Sequence, residues 1–374
     1  MRASRLLGTA LVLSAAVFAL TAGSAGAFGA GRALFVQNDS LIGGNQVIAY
    51  DRAPDGTLTQ ANVYPTGGLG GKLEGSVVDH LASQSSLFYD RQNELLYAVN
   101  AGSNTISVFA VFGDRLALRQ VLSSGGTFPV SIAAKNGVVY VLNAEEGGSV
   151  DGFRVLAGRL QPIAGSNREL GLNTSATPQF VNTPGQVAFS PSGTQLIVTT
   201  KANGNDVDVF GVDALGHLSK SPVVNELPEA VPFALTFDSE GHLILTEAGP
   251  NAVADFVLRE NGTLAQLDSV DTGQAATCWV LRIGNRFYVS NAGSGSLTGL
   301  RSLIGGQLLV GLGNTPTDAG TVDAAAPGGG RFLYVQTGLE GHVDEYSVQG
   351  SGALTPIGSV TVPGAIGGEG IVAP

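Results

Sequence analysis

From residue 34 onward the apolar positions fall into short runs of about five, each ending on a polar residue, and the run returns seven times. The copies are 34–38 (LFVQN), 96–100 (LYAVN), 139–143 (VYVLN), 196–200 (LIVTT), 243–247 (LILTE), 287–291 (FYVSN) and 333–337 (LYVQT). Their final residues lie 62, 43, 57, 47, 44 and 46 positions apart. Runs of this length, rich in Tyr, Phe, Val and Ile and bounded by Gly, Asn and Ser, read as strands. A period of about 20–50 residues with several strands per copy predicts a propeller or another repeat array.

Three further strands per copy follow from the same pattern. After a Gly/Asn/Ser break comes a second run, as in 46–50 (QVIAY), 105–109 (TISVF), 206–210 (DVDVF), 252–256 (AVADF) and 342–346 (HVDEY). A Gly-x-Leu turn then opens an outer strand at Gly56, Gly158, Gly216, Gly262, Gly306 and Gly352. Glycine there supplies a positive φ at little cost, as tight hairpins require. An inner strand precedes each quoted run, as in 186–190 (QVAFS) and 233–237 (FALTF). The first copy lacks this inner strand, and the tail 367–373 (GGEGIVA) reads as the missing piece. The expectation is an all-β, seven-bladed β-propeller of four-stranded antiparallel blades, closed by the C-terminal tail adding the inner strand to the N-terminal blade. Closure leaves no open sheet edge. Alternating strand directions put the long connections 66–85 and 167–185 on one face and the tight hairpins on the other. Long loops on a rigid scaffold are where sites are usually built, so the channel mouth on the long-loop face is the expected site.

Composition narrows the setting. Arg2 and Arg5, an apolar stretch over 6–20 and the small residues of 24–27 have the form of a secretory signal peptide. Residues 1–27 are therefore read as a leader, and 28–374 as one propeller domain that is exported and monomeric. The formal net charge of −11 argues against nucleic acid and anionic membrane as partners. The only cysteine, Cys278, excludes an internal disulfide and is expected to pack as a small apolar group.

Candidate chemistry is sparse. The four histidines are His80, His217, His242 and His342, and only His80 falls in a long loop. No histidine pair has metal-ligand spacing and no nucleophile elbow is present, so neither a metal nor a cofactor is expected. Register brings the ends of the quoted runs together as a ring containing Asn100, Asn143, Lys201, Glu247 and Asn291. The beginnings of inner strands add Gln84, Phe128, Gln186, Phe233, Trp279 and Asp323. Lys201 and Glu247 break a neutral column in consecutive blades. A carboxylate there would orient or deprotonate water and an ammonium would stabilise an oxyanion; a plain ion pair is the other reading. The Asn residues either bind substrate or close the turns beyond the strand. Trp279 either floors a pocket or packs between blades.

Segments 81–84 (LASQ), 98–109 (AVNAGSNTISVF), 189–193 (FSPSG), 278–280 (CWV) and 291–295 (NAGSG) resemble the lactonase family of seven-bladed propellers, in its secreted bacterial branch. The resemblance covers nearly all of 28–374. That family includes 6-phosphogluconolactonases and carboxymuconate-lactonizing enzymes, so the resemblance implies opening or closing of a lactone ring. The chain departs from the phosphogluconolactonase pattern at 184–186 (PGQ) and 200–203 (TKAN), where those enzymes carry a His and an acidic segment. No catalytic set therefore transfers. Two functions stand at this point. One is hydrolysis of a small lactone or ester, with Glu247 and Lys201 catalytic and Asn100, Asn143, Gln186, Phe233, Trp279 and Asn291 binding substrate. The other is a non-catalytic propeller that binds an unknown extracellular ligand or protein through the same face.

Overall fold

A computed structural model describes residues 32–303 and 307–374; the leader assigned to 1–27 lies outside them. Seven antiparallel blades form the ring, each four strands wide; in blade 3 the outer strand is split into Arg159–Pro162 and Arg168–Glu169. Blade 1 contains Ala33–Gln37, Gln46–Arg52 and Leu58–Pro65, and its inner strand is Ile371–Val372. The tail pairs Val372 with Phe35 and Ile371 with Val36, as the sequence predicts. Blades 2 to 7 begin at Leu87, Pro129, Gln186, Pro232, Thr277 and Thr321. The only helices among the described residues are single turns, including Gln179–Asn182 and Lys201–Gly204.

The second strands are unbroken apolar runs because they are buried on both sheet faces. Ala33–Gln37, Leu95–Asn100 and Leu243–Glu247 are buried at every position. Outer strands such as Leu58–Pro65 expose most of their residues.

Neighbouring blades are joined by tyrosines of the second strands. The hydroxyls of Tyr140, Tyr288 and Tyr334 donate to the carbonyls of Gly216, Gly352 and Gly56 at 2.8, 2.7 and 2.6 Å. Each acceptor is the Gly-x-Leu turn of the following blade. These glycines have φ of +81°, +95° and +98°. A Cβ at Gly216 would also stand 2.7 Å from Val138 of the preceding blade. The turn glycines thus serve the hairpin and the seam between blades together.

Candidate functional site

The long connection between blades 1 and 2 folds inward and plugs the channel on the long-loop face. Asp79 organises its tip: Oδ1 accepts from Leu81 N at 2.7 Å and Oδ2 from Ser83 N at 2.9 Å. The remaining bonds come from around the ring. His80 N donates to Gly367 O beside blade 1 (2.8 Å), and Ser83 Oγ to Val130 O in blade 3 (2.8 Å). Gln84 exchanges two bonds with the Val280 backbone of blade 6, at 3.0 and 2.9 Å. Trp279 Nε1 donates to Ser83 O at 2.5 Å.

Lys201 staples this plug to the second long connection, 167–185. It is 1% exposed, and its Nζ donates to Ala82 O (2.7 Å), Phe180 O (2.6 Å) and Thr183 Oγ1 (3.1 Å). An ammonium has three hydrogens, so these bonds use all of them. Phe233 lies 5.5 Å below the nitrogen and packs edge-on against Trp279, ring centroids 4.8 Å apart. Burial lowers the Lys201 pKa to about 7, against the pull of the Asp79 charge. Its backbone sits at φ +53°, a conformation disfavoured for a side chain of this size.

Beneath the plug four carboxyls meet. Asp39, Asp79, Asp323 and Glu369 are all 5% exposed or less. Burial raises Asp39 to about 8, Asp79 to about 6 and Asp323 to about 7. Glu369 is pushed up by burial and then by the charges of Asp323 and Asp79. Glu369 and Asp323 share a side-chain hydrogen bond, and Asp39 Oδ2 accepts from Glu369 N at 3.0 Å. Four carboxylates in so little water cannot all ionise, so this cluster holds protons at neutral pH.

Below the carboxyls the channel is open toward the tight-hairpin face, as a cavity of about 400 Å³. Gln84, Gln186 and Asp323 line its deep end, and Arg91 and Arg282 line it farther out. Gln186 accepts from Leu235 N through Oε1, which leaves its NH2 group as a donor on the cavity wall. Among the described residues, then, the open part of the channel faces away from the long loops.

The expected site residues separate. Lys201 is spent on tying the plug to the 167–185 connection. Glu247 instead lines a different cavity of about 600 Å³, with Glu226, Leu227, Pro228 and Glu229 beside it, and burial raises its pKa. The proposed catalytic pair is not joined: none of Lys201's bonds goes to Glu247. Asn100, Asn143 and Asn291 do not reach the channel as ligands. Each is 0% exposed and turns back on its own blade. Asn100 Nδ2 donates to Ser107 Oγ at 2.8 Å, Asn143 Nδ2 to Asp151 Oδ2 at 3.1 Å and Asn291 Nδ2 to Thr298 Oγ1 at 2.9 Å. That column closes turns. Phe233 and Trp279 pack under Lys201 and the plug. Gln186, with Asp323, reaches the cavity. Cys278 is buried, and its thiol is pushed up to about 12 by that burial.

One further group comes together on the tight-hairpin side. Asp238, His242 and Asp255 place ligand atoms within 4.8 Å of one another. No histidine pair marks it in the sequence, because it holds one His and two Asp.

Comparison with protein-family models and with curated proteins returns no match. Solved structures do match. A periplasmic gluconolactonase from Pseudomonas aeruginosa superposes with a TM-score of 0.72 at 20% identity, over 91% of this chain and 98% of that one. A putative 6-phosphogluconolactonase from Bacteroides fragilis gives 0.69 at 17%, over 89% and 96%. A Lactobacillus plantarum protein gives 0.71 at 19%, over 91% and 98%. At these identities the likeness is one of fold.

Proposed function

We propose that the protein is an exported hydrolase of a small lactone or related ester, and that the reaction takes place in the central cavity. The observation that carries this is Asp323, a carboxyl with a pKa near neutrality on the wall of an open polar cavity. A base is most effective when its pKa lies near the working pH. The fold likeness to a gluconolactonase supports the substrate class.

In this reading ionised Asp323 takes a proton from water as the water oxygen bonds to the lactone carbonyl carbon. The Gln186 NH2 group donates to the carbonyl oxygen as it gains charge. The ring C–O bond then breaks, and the proton passes from Asp323 to the leaving alkoxide, giving the hydroxy acid. Glu369, also pushed up by burial, shares a hydrogen bond with Asp323 and keeps one proton in the pair. Lys201 and Glu247 take no part.

A panel of lactones assayed with wild type and Asp323→Asn tests this. Turnover should fall by about 10²–10⁴ in the variant, and wild-type activity should rise with pH through about 7 as Asp323 loses its proton. Equal rates in both proteins would remove Asp323 from the mechanism.

A ligand-binding, non-catalytic propeller is the second reading. It is favoured by the spent ammonium: Lys201 gives one hydrogen to the plug at Ala82 and two to the 167–185 connection at Phe180 and Thr183, and offers none to an oxyanion. Inertness to every lactone, together with saturable binding of an aldonate in the cavity, would decide for it.

A further inference from the structure

Asp255 is a carboxyl whose burial the ring does not explain. It lies opposite Ile244 on the third strand of blade 5. The same place in blades 1, 2, 3, 4 and 6 holds Ala49, Val108, Gly152, Val209 and Gly299, all without a charge. In blade 7 it holds Glu345, whose Oε1 accepts from Leu58 N at 3.1 Å. Asp255 is 0% exposed, and neither carboxylate oxygen has a hydrogen-bond partner. A buried carboxylate left bare costs several kcal/mol, so a partner is called for.

The groups beside it include a histidine and a second carboxylate. His242 Nδ1 is buried, makes an ion-pair contact with Asp238 Oδ2 at 3.2 Å without forming a hydrogen bond, and lies 4.0 Å from Asp255 Oδ1. Asp238 uses Oδ1 to accept from Glu240 N and His242 N, both at 2.8 Å, which fixes the turn and leaves Oδ2 turned to the histidine. Ser302 Oγ is the other neighbour of Oδ2, at 3.5 Å. In blade 2 the corresponding turn carboxylate, Asp90, is capped instead by Asn93 Nδ2 at 2.7 Å and by Tyr97 OH at 3.1 Å. Blade 5 has His242 and Ile244 in that region and lacks both caps.

We propose that Asp238, His242 and Asp255 bind one zinc ion through Oδ2, Nδ1 and a carboxylate oxygen, as a clip that ties the blade 5 hairpin to its third strand. Two carboxylates balance a dication. A mixed N/O set of three suits zinc, with water in the fourth position, whereas calcium takes oxygen ligands. Tetrahedral ligands about 2.0–2.1 Å from zinc stand about 3.4 Å apart. The observed separations, all within 4.8 Å, require only small side-chain rotations. The site lies on blade 5, apart from the central cavity and independent of the reaction proposed there.

Zinc titration of the purified, chelator-treated full chain against a chromophoric competitor tests this. One equivalent should bind, with a rise in Tm. His242→Ala, at a partly exposed turn, and Asp255→Asn should each weaken binding by more than about tenfold. His217→Ala, which removes the surface His217–Asp213 pair, should leave it unchanged. Failure to bind one equivalent at micromolar zinc would overturn the proposal. So would wild-type affinity in His242→Ala, or calcium binding as tightly as zinc. If Asp255→Asn does not fold, the His242→Ala and His217→Ala comparison still decides.

Discussion

Replacing Lys201 by Met should unfold the plug before it touches any chemistry. Met keeps most of the aliphatic stem and the positive φ, so packing and backbone cost largely cancel. What is lost is the ammonium and its bonds to Ala82 O, Phe180 O and Thr183 Oγ1. Hydrogen bonds to charged groups contribute roughly 1.5–3 kcal/mol each, and carbonyls left bare in the interior cost more. Against this, Met escapes the desolvation of a buried cation, the same burial that lowers Lys201 to about 7. Removing one partner from a buried charged network typically nets about 3–5 kcal/mol of destabilisation, and that is the value expected here. The assay is urea unfolding followed by fluorescence. Trp279 is the only tryptophan, and its Nε1 holds Ser83 O in the plug. Emission should shift to the red in the variant even before global unfolding, as the plug loosens and water reaches the indole. A loss under about 1 kcal/mol with unchanged emission would refute the staple.

Two further outcomes follow from the geometry. Gly216→Ala should destabilise by about 2 kcal/mol or more, because φ is +81° and the new Cβ would lie 2.7 Å from Val138; urea midpoints would measure it. Stability should fall as pH rises from about 4 to 7, because the raised carboxyls bind protons in the folded state that the unfolded chain has released. For Asp39, moved from 3.8 to about 8, that loss is of the order of 4 kcal/mol at pH 7. Asp39→Asn should remove its share of the slope. Asn tolerates the φ of +46° there, and Gln37 can turn its unpartnered Oε1 toward the new amide. A Tm that instead rises across that interval would contradict the buried acid cluster. Lys201, lowered to about 7, acts with the opposite sign only above that pH.

The blades were legible because each is local. Every second strand is a five-residue apolar run buried on both sides, and every outer strand starts at a turn with its own residue signature. Ring closure was legible too, since 367–373 was the one leftover strand-like piece. The plug was not. Segment 66–85 has no periodicity, and the partners that hold it, Val130, Lys201, Trp279 and Gly367, are dispersed over the rest of the chain. A loop that fills the channel and a loop that rims it look alike in sequence. Lys201 and Glu247 stood out as charges in a neutral column, but position in a column does not say where a long side chain ends. Asp255 did leave a trace. Asp151, Asp208 and Asp344 occupy the third position of their strands, while Asp255 occupies the fourth. With a period of two, that places it on the opposite face of the blade.

Ligand is expected to enter the channel from the tight-hairpin side and to end at Asp323 and Gln186. A crystal structure of the protein soaked with an aldonate, the hydroxy acid that lactone opening yields, tests it most directly. Density is expected in the central cavity, with the carboxylate within hydrogen-bond distance of the Gln186 NH2 group and the plug unchanged. Density beside Glu247 instead, or a displaced 79–84 segment with ligand on the Lys201 ammonium, would contradict it.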